Sequence, residues 1–168
     1  MNYLKTTPHN RKSRFGFTIV ELMIVVTIIG ILALIAIPLH MNARLRSQDT
    51  EFINDLKVLT NHTFLPYFIN SGEYPPDSAL GVEPNGIHEF LPRSFNWAKS
   101  PAIGGKWDWD RASDRLHKIY GCYAGISICE PNRTEAEMRA IDKILDDGNI
   151  LDGIFQKRTG GYIYILEN

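Results

Sequence analysis

The signatures of most enzyme classes are missing from this sequence. Its 168 residues contain no nucleophilic Ser elbow, no phosphate-cradling Gly loop and no pair of catalytic carboxylates. The histidines His9, His40, His62, His88 and His117 are scattered without metal-ligand spacing. Cysteine is scarce, with only Cys122 and Cys129. An exported location would permit a disulfide between them. If Tyr123 to Ile128 form one straight strand, the odd separation puts the sulfurs on opposite faces and beyond bonding reach. A turn at Ala124-Gly125 would bring them together. Clustered basic residues that could neutralise phosphates are also absent from the bulk of the chain, which argues against a nucleic-acid binder. The formal net charge is −1. Residues 1–16 hold Lys5, Arg11, Lys12 and Arg14 and no acid, so the remainder carries about −5. There is a single long apolar run, Phe17 to Pro38.

That run is long enough to cross roughly 30 Å of hydrocarbon as a helix. The basic residues before it predict that the front stays in the cytoplasm and that residues after Pro38 lie outside the membrane. Arg44 and Arg46 oppose this only weakly, since Asp49 and Glu51 follow closely. One carboxylate, Glu21, sits near the start of the run. An ionisable group in such a segment is expensive and marks a functional site by default. A small residue, Gly16, separates the basic run from the apolar one. A cut there would discard a leader, retain the apolar helix and make Phe17 the new amino terminus.

Gly16-Phe17-Thr18-Ile19-Val20-Glu21-Leu22, the unbroken apolar helix and Pro38 resemble the amino-terminal signature of type IV pilins and type II secretion pseudopilins. The resemblance covers residues 12–45 closely and the rest of the chain only in general plan. It implies that a prepilin peptidase cuts between Gly16 and Phe17 and methylates the Phe17 amine. It implies that Glu21 meets the amino terminus of a neighbouring subunit during assembly. Physical chemistry agrees: an amine and a carboxylate are each costly in a bilayer, and pairing between subunits compensates both. Such a pair also sets register, which non-directional apolar packing cannot do. The plainer reading is a signal anchor whose Glu21 snorkels to the interface.

Beyond Leu39 the spacing predicts an amphipathic continuation, with Leu45, Phe52, Ile53, Leu56, Leu59 and Phe64 on one face. Gly30 and Pro38 predict a kink, Pro66 raises the same issue, and Gly72 is the expected left-handed stop. A helix from Phe17 to that stop would be about 80 Å long. Residues 73–105, rich in Pro and Gly, read as a long loop pinned by Phe90, Leu91, Phe95 and Trp97. Lys106 to Asp110 alternates as a strand with Trp107 and Trp109 inward and Asp108 and Asp110 on a solvated face. Arg111 to Lys118 reads as a polar turn and Ile119 to Cys129 as the partner strand. Thr134-Glu135-Ala136-Glu137 is a capping box. A short helix follows with Met138, Ile141, Ile144 and Leu145 on one face. Ile154 to Arg158 and Tyr162 to Glu167 form a closing hairpin around Thr159-Gly160-Gly161.

Asp146, Asp147 and Asp152 are candidate metal ligands. Two acids at a helix C-terminus oppose its dipole, and calcium takes carboxylate and carbonyl oxygens. Some major pseudopilins carry a calcium loop near the C-terminus, although this spacing matches no EF-hand. The alternative is a solvated turn neutralised by Lys143 or Arg158. No other cofactor is expected. Trp97, Trp107, Trp109, Tyr162 and Tyr164 read as core rather than as a ligand pocket.

The expected fold is α+β: a transmembrane-plus-amphipathic helix packed on a small antiparallel sheet, as in pilins. The expected divisions are a cleaved leader at 1–16, a membrane and filament-core helix at 17–38, its amphipathic continuation at 39–72 and a head at 73–168. The expected function is structural and not enzymatic. The subunit is stored in the inner membrane with its head in the periplasm, then drawn into a periplasmic or surface filament whose contacts run head to tail. Expected partners are copies of itself, related pilin-like subunits, a prepilin peptidase, an inner-membrane assembly platform and membrane lipid. A small head, the close cysteines, Tyr74-Pro75 and a Tyr-rich closing strand favour a pseudopilin of protein export. A type IV pilus subunit is the alternative, and a membrane-tethered ligand-binding module is the alternative from another class.

Overall fold

A computed structural model of the chain describes residues 16–111 and 122–167. The leader up to Phe15, most of the polar turn after Arg111 and the first residues of the expected partner strand lie outside the described residues. The chain divides into two compact units, Met1–Ala43 and Arg44–Asn168.

Helix α1 spans Ile19–Val58 and continues through Gly30 and Pro38 as one element. Pro38 has no amide to donate, so the carbonyl four residues earlier loses its usual partner. Leu59–Phe64 then widen into a π-helical turn, and α2 follows at Leu65–Ser71 with Pro66 in its first turn. The wide turn accommodates Pro66 without ending the helix, because the missing donor and the ring fall where the regular bonding ladder is already interrupted. It was not anticipated from sequence. Gly72 closes the helix at φ 80° and donates its amide to the Phe68 carbonyl at 2.8 Å, as a left-handed stop should.

In the second unit, Phe52, Ile53, Leu56, Leu59 and Phe64 face a four-stranded antiparallel sheet ordered β1-β2-β4-β3. Its strands are β1 Lys106–Arg111, β2 Ala124–Cys129, β3 Phe155–Arg158 and β4 Gly161–Glu167. The β1–β2 register pairs Trp107 with Ile128 and Trp109 with Ile126. All four point into the helix-side core. There Phe64 stacks on Trp109 at 3.9 Å and Phe52 on Trp107 at 5.5 Å between centroids. Such pairs add specificity to a core whose main stabilisation is the burial of large apolar area. The long loop contributes Trp97, as expected, together with Ile87 and Ile103, both fully buried. It also covers the free edge of β1: the Gly81 amide donates to the Trp107 carbonyl at 2.9 Å and Ser78 to that of Trp109 at 3.4 Å, which protects an otherwise unpaired edge.

Helix α3, Glu135–Leu145, starts with the anticipated capping box: Glu137 accepts from the Thr134 amide at 2.7 Å, and Thr134 Oγ1 accepts from the Glu137 amide at 3.3 Å. Its buried face is Met138, Ile141 and Asp142, whereas Ile144 is exposed. Arg133, just before the cap, donates to Asp49 Oδ1 at 3.1 Å and Gln48 Oε1 at 2.9 Å, which fastens α3 to the Arg44–Val58 part of α1.

On the opposite face of the sheet one expectation fails, and the structure decides between the two readings of the cysteines. Asp108 and Asp110 are not a solvated strand face: Asp110 is only 7% exposed. Arg158 on β3 donates to both Asp110 and Ser127, which lie across β4, and Ser127 donates to Asp110. Arg158 can cross because its β4 partner is Gly161, which has no side chain in the way. Asp108 lies 3.9 Å from the same guanidinium. Burial, with Asp110 beside it, pushes the Asp108 carboxyl up to about 6, against the pull of Arg158. Nor do Cys122 and Cys129 form a disulfide; both are free thiols. The turn at Ala124-Gly125 does not occur. A register shift there leaves Ala124–Cys129 extended along β4, and an extended strand of that length holds its two ends far beyond bonding distance. Cys122 packs instead against Ile163 and Ile165.

Candidate functional site

The first described residues form the site that the sequence singled out. Helix α1 begins at Ile19, and Thr18 precedes it. Glu21 Oε2 accepts from the Thr18 amide at 2.9 Å and from Thr18 Oγ1 at 2.8 Å. The Glu21 amide donates back to Thr18 Oγ1 at 3.2 Å. This is a second capping box, Thr18-Ile19-Val20-Glu21, with the same pattern as 134–137. Glu21 thus has a partner in its own chain, Thr18, which the sequence reading did not name. The signal was legible as Thr-x-x-Glu before an apolar helix and was hidden by attention to the charge alone. Both bonds fall on one carboxylate oxygen, so the group is oriented at the mouth of the helix.

Glycine at position 16 has no internal reason. A side chain there would meet nothing within 4 Å, and the residue is not in the left-handed region. The same holds for Gly30 in mid-helix, where Gly costs about 1 kcal/mol relative to Ala. The large apolar side chains from Phe17 to Met41 are all 45–78% exposed. This is one helix long and apolar enough to cross a membrane. Apolar area of this extent is not left in water; lipid or other protein must cover it.

The remaining candidates do not converge. Asp146 Oδ2 accepts from the Ile154 amide at 2.6 Å, Asp147 Oδ1 from that of Asn149 at 2.7 Å and Asp152 Oδ1 from that of Gly153 at 2.9 Å. Each carboxylate is spent on its own loop, and among the described residues no group of three or more His, Cys, Asp or Glu is placed to hold a metal ion. The thiols of Cys122 and Cys129 are pushed up to about 11, by burial first and nearby carboxylates second, so neither is a reactive nucleophile. The core aromatics Trp97, Trp107 and Trp109 pack on Phe52, Phe64 and Phe95.

Residues 11–37 match the family model described as the prokaryotic N-terminal methylation motif. The N-terminal part of the chain thus carries the signature of the superfamily of type IV pilins and pseudopilins. It is 49% identical over 59 residues to the type IV major pilin PilA of Myxococcus xanthus, covering 35% of this chain and 25% of that protein. It is 39% identical over 67 residues to the type IV major pilin PilE1 of Neisseria gonorrhoeae, covering 40% and 31%. A fimbrial protein of Pseudomonas aeruginosa is 50% identical over 48 residues, covering 29% and 31%. The chain thus spans between a quarter and a third of the length of these relatives. No solved structure matches. The α+β arrangement, one long apolar helix with a small antiparallel sheet, is the pilin-like plan expected from sequence.

Proposed function

We propose that this chain is a structural subunit of a pilin-like filament, stored in a membrane by its N-terminal helix and then assembled. The observation that carries this reading is the wholly exposed apolar helix headed by Gly16, Phe17 and the capped Glu21. A plain anchor needs apolar length alone. It does not need a glycine with no internal steric role or a carboxylate oriented at the helix start. Both make sense if a prepilin peptidase cuts after Gly16, the Phe17 amine is methylated, and Glu21 exchanges Thr18 for the amino terminus of the adjoining copy. The helices then cover one another in a common core, fed by an assembly platform in the inner membrane, with the head on the periplasmic side. Such a role needs no cofactor.

Among filament types, the pilin names of the relatives favour a pilus subunit. The features that pointed to an export pseudopilin have local explanations: Tyr74 packs against Phe68 and Trp109, and Tyr162 stacks on Phe155. The test is Glu21→Val in a strain carrying only that copy. The variant should reach the membrane in normal amount, and sheared filaments should fall at least tenfold; a normal filament yield refutes the reading. Deleting the gene separates the two classes, since loss of surface fibres supports the pilus and loss of an exported protein supports the pseudopilin.

A further inference from the structure

Asp142, near the C-terminal end of α3, is an anomaly in the head. It is fully buried, and among the described residues neither carboxylate oxygen has a well-formed hydrogen bond. Buried polar groups are nearly always paired, because an unpaired one costs its whole desolvation. An isolated buried carboxylate relieves that cost by taking up a proton. The charged groups acting on Asp142 are Arg139 on its own helix and Asp146 and Asp147 on the segment that follows. The two aspartates raise the cost of ionisation, and the helix end is itself negative. The Gly148 amide and Arg139 oppose this only in part, and the Asp142 carboxyl is pushed up to about 6, by burial first.

The segment beside it is held by few bonds. Ile154 donates its amide to Asp146 at 2.6 Å, Lys157 to the Ile150 carbonyl at 2.7 Å, and Ile165 to the Ile154 carbonyl at 2.8 Å. Ile150 is fully buried, while Leu151 and Ile154 are partly or largely exposed. Residues 146–154 therefore tie α3 to β3 and β4.

We propose that Asp142 is a buried proton-binding group that governs how firmly residues 146–154 are fastened to the head. With its proton bound, the end of α3 holds two negative side chains, and the segment stays closed. Ionisation releases the proton to water and leaves a third like charge beside Asp146 and Asp147, offset only in part by the Gly148 amide and Arg139. The segment then loosens. Because the group's value in the folded chain lies above the ordinary carboxylate value, the fastening is fullest below about pH 4 and is lost as the pH rises through about 6. The working range is pH 5 to 7.

The test is residue-level amide hydrogen exchange on the full chain in detergent micelles at pH 5 and 7.5, corrected for intrinsic exchange. In the wild type, the Ile154 and Lys157 amides should lose roughly ten- to a hundredfold of their protection at the higher pH. Asp142→Asn, a neutral isostere, should keep them protected at both. Asp147→Asn keeps an acceptor for Asn149 but removes a like charge that raises the Asp142 value, so the midpoint of its loss of protection should move to lower pH and the loss itself should shrink. Equal pH dependence in the wild type and Asp142→Asn overturns the proposal. So does protection by millimolar calcium at pH 7.5 as strong as that by acid, which would make a cation the missing partner. If Asp142→Asn does not fold, an unmoved midpoint in Asp147→Asn decides against it.

Discussion

Replacing Arg158 by Gln tests how the outer face of the sheet is held. Among the described residues the guanidinium is the only cation that bonds Asp110, and it stands 3.9 Å from Asp108. Their side chains are only 10% and 14% exposed. Removing one partner of a buried ion pair leaves uncompensated charge and costs about 3–5 kcal/mol. For a unit of this size that corresponds to a fall in Tm of roughly 10–25 °C. The penalty depends on pH. Asp108, pushed up to about 6 by burial and Asp110, carries its proton in mild acid and needs the guanidinium less there. Its folded value exceeds the unfolded one, so its own contribution is present below about pH 4 and lost as the pH rises through about 6. The Arg158→Gln penalty should therefore be larger at pH 8 than at pH 5. Adding Asp110→Asn should recover part of it, because the buried charge is removed with its partner. The assay is thermal unfolding by circular dichroism, on the wild type and both variants, in detergent at the two pH values. A Tm change under 3 °C, or the same change at both pH values, refutes the reasoning.

Thr134→Ala removes an N-cap whose bonds are in place, and should cost about 1 kcal/mol, read as a fall of roughly 3–5 °C in the same melt. Phe64→Ala takes away the stack on Trp109 at the π-helical turn and should cost about 3–5 kcal/mol, checked by urea denaturation. Cys122 and Cys129 should resist a maleimide at pH 7.5 in the folded chain and react within minutes in denaturant, since burial suppresses both thiolates. Quick labelling of Cys122 in the native state would contradict its packing against Ile163 and Ile165.

Where local chemistry decides, the sequence is legible. Gly72 stops a helix because it alone takes φ 80° without strain. Thr134 and Glu137 announce a cap by their spacing, and Trp107 and Trp109 announce a strand by alternation. Where a third element decides, the pattern misleads. Alternation placed Asp108 and Asp110 on the face away from the Trp side chains, correctly. It could not say that Arg158, with two strands between it and β1 in the sheet, would reach over Gly161 and make that face polar yet buried. Helical spacing likewise put Ile144 in the core and left Asp142 out; the structure reverses the two, because packing at the end of α3 follows the loop that crosses it. The π-helical turn escaped notice because Pro66 predicts a break, and only the surrounding core shows that a wider turn removes the need for one. At the N-terminal site, Gly16, Phe17 and Glu21 were readable, and Thr18 was readable in principle from the same capping rule.

If residues from Phe17 onward form a processed filament subunit, the cut amino terminus must be present in the fibre itself. Mass spectrometry of the N-terminal peptide from sheared, purified filaments tests it most directly. The chain should begin at Phe17, with its amine carrying one methyl group. Filaments that lack this chain, or contain it with an uncut leader beginning at Met1, would contradict the account.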